Sequence, residues 1–142
     1  MVSVTIKGWA AVGLGILATP DIRNELPMSP SAYSPVEQRT RAWLDSFVVG
    51  LNLCPFARPV IAAGGLRLTV CESGKLEDIA ASYLQELHLI CDSPESDIAT
   101  ALLVLPAGLD DFEAYLDFVD NANHLLEEQG LAGTIQLASF HP

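Results

Sequence analysis

Two side chains in this sequence have a setting that could support chemistry. Cys54 lies in the stretch GLNLCPFA (residues 50–57), and His141 lies in the closing LASFHP. A thiolate is a strong nucleophile and an imidazole can take its proton, so a fold that brings the two together would build a Cys/His-dependent enzyme or a metal-binding site, of unknown substrate. The alternative is a non-catalytic interaction module with an acidic surface. Asn52 and Arg58 flank the cysteine and would supply polar contacts to a substrate. Local electrostatics pulls the other way. Cys54 follows what reads as a helix C-terminus, and the partial negative charge there disfavours a thiolate. Unless Arg58 folds back to offset it, Cys54 reads as a buried, unreactive packing residue. His141 directly follows a strand end, the place where sites of α/β sheets gather. His88 and His124 fall late in helices, where imidazole complements the helix end, and they read as structural.

The rest of the sequence is sparing with chemistry. It contains no GxGxxG, no GxxxxGKS/T, no HExxH, no GxSxG and no EF-hand loop, so the residues identify no cofactor. Cys54, Cys71 and Cys91 are odd in number and widely spaced, with no CxxC and no histidine at ligand spacing. That argues against a disulfide framework and a zinc knuckle, assigns no metal ligands, and fits reduced thiols in a cytosol.

The elements that must position these residues follow from periodicity. Ser34, Pro35 and Glu37 form a capping-box start, and Val36, Trp43, Leu44, Phe47, Val48 and Leu51 then predict a helix with one buried apolar face. Gly50 and Asn52 tolerate the left-handed backbone of a helix end, Pro55 blocks continuation, and Phe56 anchors the exit. LRLTVC (66–71) alternates Leu66, Leu68 and Val70 with Arg67, Thr69 and Cys71, a strand with one wet or lightly covered face. Leu76, Ile79, Ala80, Tyr83, Leu84, Leu87 and Ile90 trace a second helix, stopped by CDSPES. ATALLVLP is apolar on both faces and suits a central strand. Gly108, Asp110 and Asp111 open a third helix with Phe112, Tyr115, Leu116, Val119 and Leu126 inward, ended by Gly130, and GTIQLASF (133–140) is a third strand. A helix followed by strand-helix-strand-helix-strand predicts an α/β sheet with crossover helices, with an α+β two-layer sandwich as the alternative.

With 142 residues, the chain has the size of one domain. Seven Lys and Arg against eighteen Asp and Glu give a formal charge of -11, which disfavours nucleic acid and anionic membrane surfaces. Every Lys and Arg lies within the first 75 residues, while the remainder carries thirteen acids and no base. That half calls for a cation beside it, supplied by the N-terminal half, a cationic partner, bound cations, a further segment or a homo-oligomer; otherwise it is a solvated face. Residues 1–33 read as an extension or linker ahead of a single domain at 34–142. The apolar run at 8–18 is too short for a membrane span, and its small-residue cleavage pattern is incomplete at Ile16. A cytoplasmic location is therefore expected, with export the alternative if residues 1–18 act as a signal. Met28, ahead of the linker-like SPSAYSP, is an alternative start.

Together, GLNLCPFA and LASFHP, in this order and with a Trp-bearing amphipathic helix before the first, resemble the bacterial family catalogued as domain of unknown function 1415. The resemblance covers roughly residues 34–142 and matches Asn52, Cys54, Pro55, Phe56, Phe140, His141 and Pro142. It implies a small bacterial, cytoplasmic protein with no established activity, and it carries over no catalytic residue. It also implies that similar members continue past FHP through an aromatic and basic segment, so a truncated chain with an incomplete site is the expectation.

Overall fold

The computed structural model describes residues 33–140 together with the backbone of residues 2–8. The remaining residues, including the 9–32 stretch with Met28 and the closing His141 and Pro142, lie outside the described residues. In chain order the elements are β1 (Val2–Gly8), α1 (Pro35–Trp43) continued by a π-helical turn (Leu44–Val49), α2 (Ala57–Ala62), β2 (Leu66–Val70), α3 (Leu76–Asp92), β3 (Thr100–Leu105), α4 (Phe112–Glu128) and β4 (Ile135–Phe140). They form an α/β fold around one sheet of order β2-β3-β1-β4.

β2 pairs parallel with β3, from Leu66 opposite Thr100 to Val70 opposite Val104. β1 is antiparallel to both β3 and β4, so β2, β3 and β4 run the same way and α3 and α4 are the crossovers between them. The strand Val2–Gly8 has no counterpart in the sequence reading, which leaves those residues in the extension. Its signal is the alternation of Val2, Val4 and Ile6 with Ser3, Thr5 and Lys7.

The doubly apolar β3 is the centre of the molecule. Ala101 through Leu105 are all buried, at 0–4 % exposure. One face, through Ala101, Leu103 and Leu105, packs in a core with Ile79, Tyr83, Leu87 and Ile90 of α3 and with Tyr115, Phe118, Ala122 and Leu126 of α4. Tyr83 links the two helices: its ring meets Phe118 edge-on at 6.0 Å, and its hydroxyl donates to the Ala122 carbonyl at 3.3 Å. Four apolar residues read as inward or as part of the packed stripe instead face solvent, namely Leu76, Leu84, Phe112 and Leu116. A helix on a sheet can present only a limited arc to it, and these positions lie beyond that arc.

Of the two readings of the second face of β2, wet or lightly covered, the structure has the covered one. Arg67 and Thr69 point toward α3, where Glu86 is 1 % exposed. Arg67 Nε and Nη2 donate to the two Glu86 carboxylate oxygens at 2.7 and 3.1 Å, and the Thr69 hydroxyl donates to Oε1 at 2.9 Å. Alternation alone cannot separate a solvated polar face from one whose charges are paired under a helix. At the other end of α3, the loops following β2 and β3 cross so closely that a Cβ on Gly108 would lie 2.7 Å from the Gly74 carbonyl oxygen, and Gly108 also has φ +78. Only glycine fits both demands. The Asp111 carboxylate then caps α4, accepting from the Ala114 amide at 2.9 Å.

Arg67→Met leaves the Glu86 carboxylate buried with Thr69 alone and is expected to cost about 3–5 kcal/mol. Glu86→Gln leaves a guanidinium whose side chain is 38 % exposed and can rehydrate, so it should cost less, about 1–2 kcal/mol; urea unfolding of both variants checks the order. Burial, then the nearby Cys91, pushes the Tyr83 phenol from 10.0 up to about 12. A raised phenol stabilises the fold fully below the unfolded value and loses that contribution as pH climbs through the folded one. Stability should therefore fall between pH 10 and 12, and in Tyr83→Phe it should fall less steeply, from a start about 1 kcal/mol lower.

Candidate functional site

GLNLCPFA leads from one helix to the next. The helix opened by Ser34, whose hydroxyl accepts from the Glu37 amide at 3.2 Å, does not remain α-helical to its end. After Trp43 it widens into the π-helical turn, which inserts a residue and rotates the apolar stripe. Phe47 and Leu51, predicted to be buried, are therefore 52 % and 62 % exposed, whereas Trp43, Leu44 and Val48 stay half-buried. Gly50 keeps a right-handed φ of -62. Its requirement is space, since a Cβ there would run into the Ser46 carbonyl oxygen. Asn52 alone takes the left-handed conformation, at φ 51, and the Leu53 amide closes the end by donating to the Val48 carbonyl at 3.0 Å.

Cys54 follows, half-buried, and its carbonyl accepts from the Ala57 amide at 3.2 Å as α2 begins. The sequence reading has no helix at Ala57–Ala62, because six residues carry too little periodicity to register. Arg58 does fold back: its Nη2 donates to the Val49 carbonyl at 3.1 Å. Its cation thus meets the open, partially negative end of the helix that precedes Cys54.

These pieces enclose an apolar cleft of about 350 Å³. Trp43, Leu44 and Val48 form one wall, and Cys54, Phe56 and residues of α2 form another. The third is the sheet face opposite α3 and α4: Leu66, Thr100 and Leu102, then Gln136, Ala138 and Phe140 of β4. Trp43 meets Phe140 edge-on, with ring centroids 6.4 Å apart and planes at 74°. The two sequence motifs thus meet in one cleft, through Cys54 and Phe140. Phe56 lines it while 51 % exposed, and does not act as a buried anchor.

The chain belongs to the DUF1415 family. The model of this family, a protein of unknown function, matches residues 35–142. No curated protein and no solved structure matches the chain. The matched region contains every element from α1 to β4, and so both motifs that border the cleft.

Of the sequence-derived candidates, Cys54 lines the cleft, while Asn52 and Arg58 hold the backbone on either side of it without lining it. His141 lies outside the described residues and follows Phe140, which does line it. His88 is exposed on α3. His124 is exposed near Glu127, with Nδ1 to Oε2 at 3.7 Å. Cys71 is buried and Cys91 exposed; burial, then Asp92, pushes the Cys91 thiol up. Among the described residues no three His, Cys, Asp or Glu side chains group as metal ligands, and no helix is long and apolar enough to cross a membrane. The wall residues that sequence reasoning missed, Thr100, Leu102, Gln136 and Ala138, carry one usable signal, the period-two alternation of β3 and β4.

The left-handed turn at Asn52 gives a direct check. Asn52→Gly should leave stability within about 0.5 kcal/mol of the parent, whereas Asn52→Val should cost about 1–2 kcal/mol, measured by chemical denaturation.

Proposed function

We propose that the cleft binds a small, mostly apolar molecule and presents Cys54 to it as the reactive group of a Cys/His-dependent enzyme. The observation that carries this reading is that residues of both motifs, Cys54 and Phe140, line one apolar cleft. Its volume is that of a small-ligand site, and its few polar side chains, Cys54, Thr100 and Gln136, stand among apolar walls. In this reading His141 takes the thiol proton from the position after Phe140. Arg58, bound to the Val49 carbonyl, reduces the unfavourable field of the helix end, and Asn52 holds the turn that aims Cys54. The thiolate is the nucleophilic form of a cysteine, so the proton acceptor is the part of the proposal on which reactivity depends.

Thiol alkylation tests it in the Cys71→Ser background, with exposed Cys91 as the internal reference. At pH 7, Cys54 should react with a neutral apolar maleimide about tenfold faster than Cys91 does. A charged reagent should lose that preference, and His141→Ala should abolish the rate advantage while leaving the Cys91 rate unchanged. Equal rates at the two cysteines, with no response to His141→Ala, would reject the reading.

A further inference from the structure

On the opposite face of the sheet, α3 and α4 meet through the Tyr83 side chain, by way of the Phe118 ring and the Ala122 carbonyl. Above that link lies an open groove of about 730 Å³. We propose that this groove is the docking site for a cationic amphipathic helix of a partner protein.

The walls have helical spacing. Leu76, Ala80 and Leu84 stand four residues apart along α3, facing Phe118 and Leu125 of α4. Leu76 is 58 % exposed and Leu84 is 40 % exposed. A ridge of side chains four apart on one helix interdigitates with the same ridge on another, so a third helix fits the row. Asp110 and Asp117 border the groove; Lys75, between the lining residues Gly74 and Leu76, is the last Lys or Arg in the sequence, against thirteen acids after it. Lysines or arginines flanking an apolar stripe would neutralise the rim while the stripe covers Leu76 and Leu84. A second copy docked through the same face would bring the same acidic rim, whereas a basic helix complements it.

The test uses the full chain and a labelled 18-residue peptide with leucines at helical spacing and lysines on the flanks, followed by fluorescence anisotropy. Two control peptides, one of the same composition with the periodicity scrambled and one with glutamate for lysine, run in parallel. The amphipathic peptide should bind with a Kd of the order of micromolar and weaken about tenfold between 50 and 300 mM salt. Asp110→Asn combined with Asp117→Asn should weaken it about tenfold at low salt, as should Leu84→Gln; each changes an exposed residue, and circular dichroism verifies the fold. Alkylation of Cys54 should stay unchanged with the peptide bound, which separates this surface from the cleft. Absent binding, equal binding of the scrambled peptide, or indifference to these substitutions would overturn the proposal. So would sedimentation showing that the chain dimerises through this groove and excludes the peptide.

Discussion

Ala101 to Leu105 leave β3 no side that can be given to water, and the layering of the molecule answers that constraint. An apolar strand in the middle of a sheet must be covered on both faces, because each exposed aliphatic side chain forfeits about 1.5–3 kcal/mol of burial. On one face α3 and α4 provide the cover, and the core is closed. On the other face the cover comes from a short helix, its π-helical turn and the six-residue α2. These elements are too small to lie flush on the sheet, and the cleft is the space left between them and Leu66, Leu102 and Phe140. The candidate site is thus a consequence of uneven cover over a strand that cannot remain bare.

The buried Glu86 carboxylate constrains how α3 can lie on β2. A charge at 1 % exposure is tolerable only with its lone pairs satisfied, and Arg67 and Thr69, on the same face of β2, supply three donors. Shifting β2 by one residue would turn both donors away and strand the carboxylate. The ion pair therefore acts mainly on register, and register decides that Leu66 faces the cleft.

Legibility follows this division between local and distant causes. The capped starts at Ser34 and Asp111, the buried character of β3 and the succession of crossover elements could all be read, because each is encoded within a few residues. The helix end at Asn52 could be read, but the π-helical turn before it could not: widening a helix depends on what its side chains pack against, and the Leu44–Val49 segment has an ordinary helical composition. The pairing of Arg67 has no local signal, because alternation reports only polarity and the partner Glu86 is nineteen positions away. Leu76 and Leu84 were misread as packed because a helical stripe does not say how wide the covering surface is.

By itself, the sequence determined the α/β class, the order of the helices and strands from Pro35 to Phe140 apart from the six-residue α2, and the helix stop that precedes Cys54, since all of these depend on short-range periodicity and on backbone preferences of Asn, Gly and Pro. Only the tertiary structure decided that Cys54 and Phe140 share a cleft, that Arg58 turns back onto the Val49 carbonyl, and that Arg67 is paired beneath α3. The first and third of these join residues that sheet pairing and helix packing bring together across long stretches of chain, the second depends on the path of the turn between two helices, and separation in space is not written in spacing along a sequence.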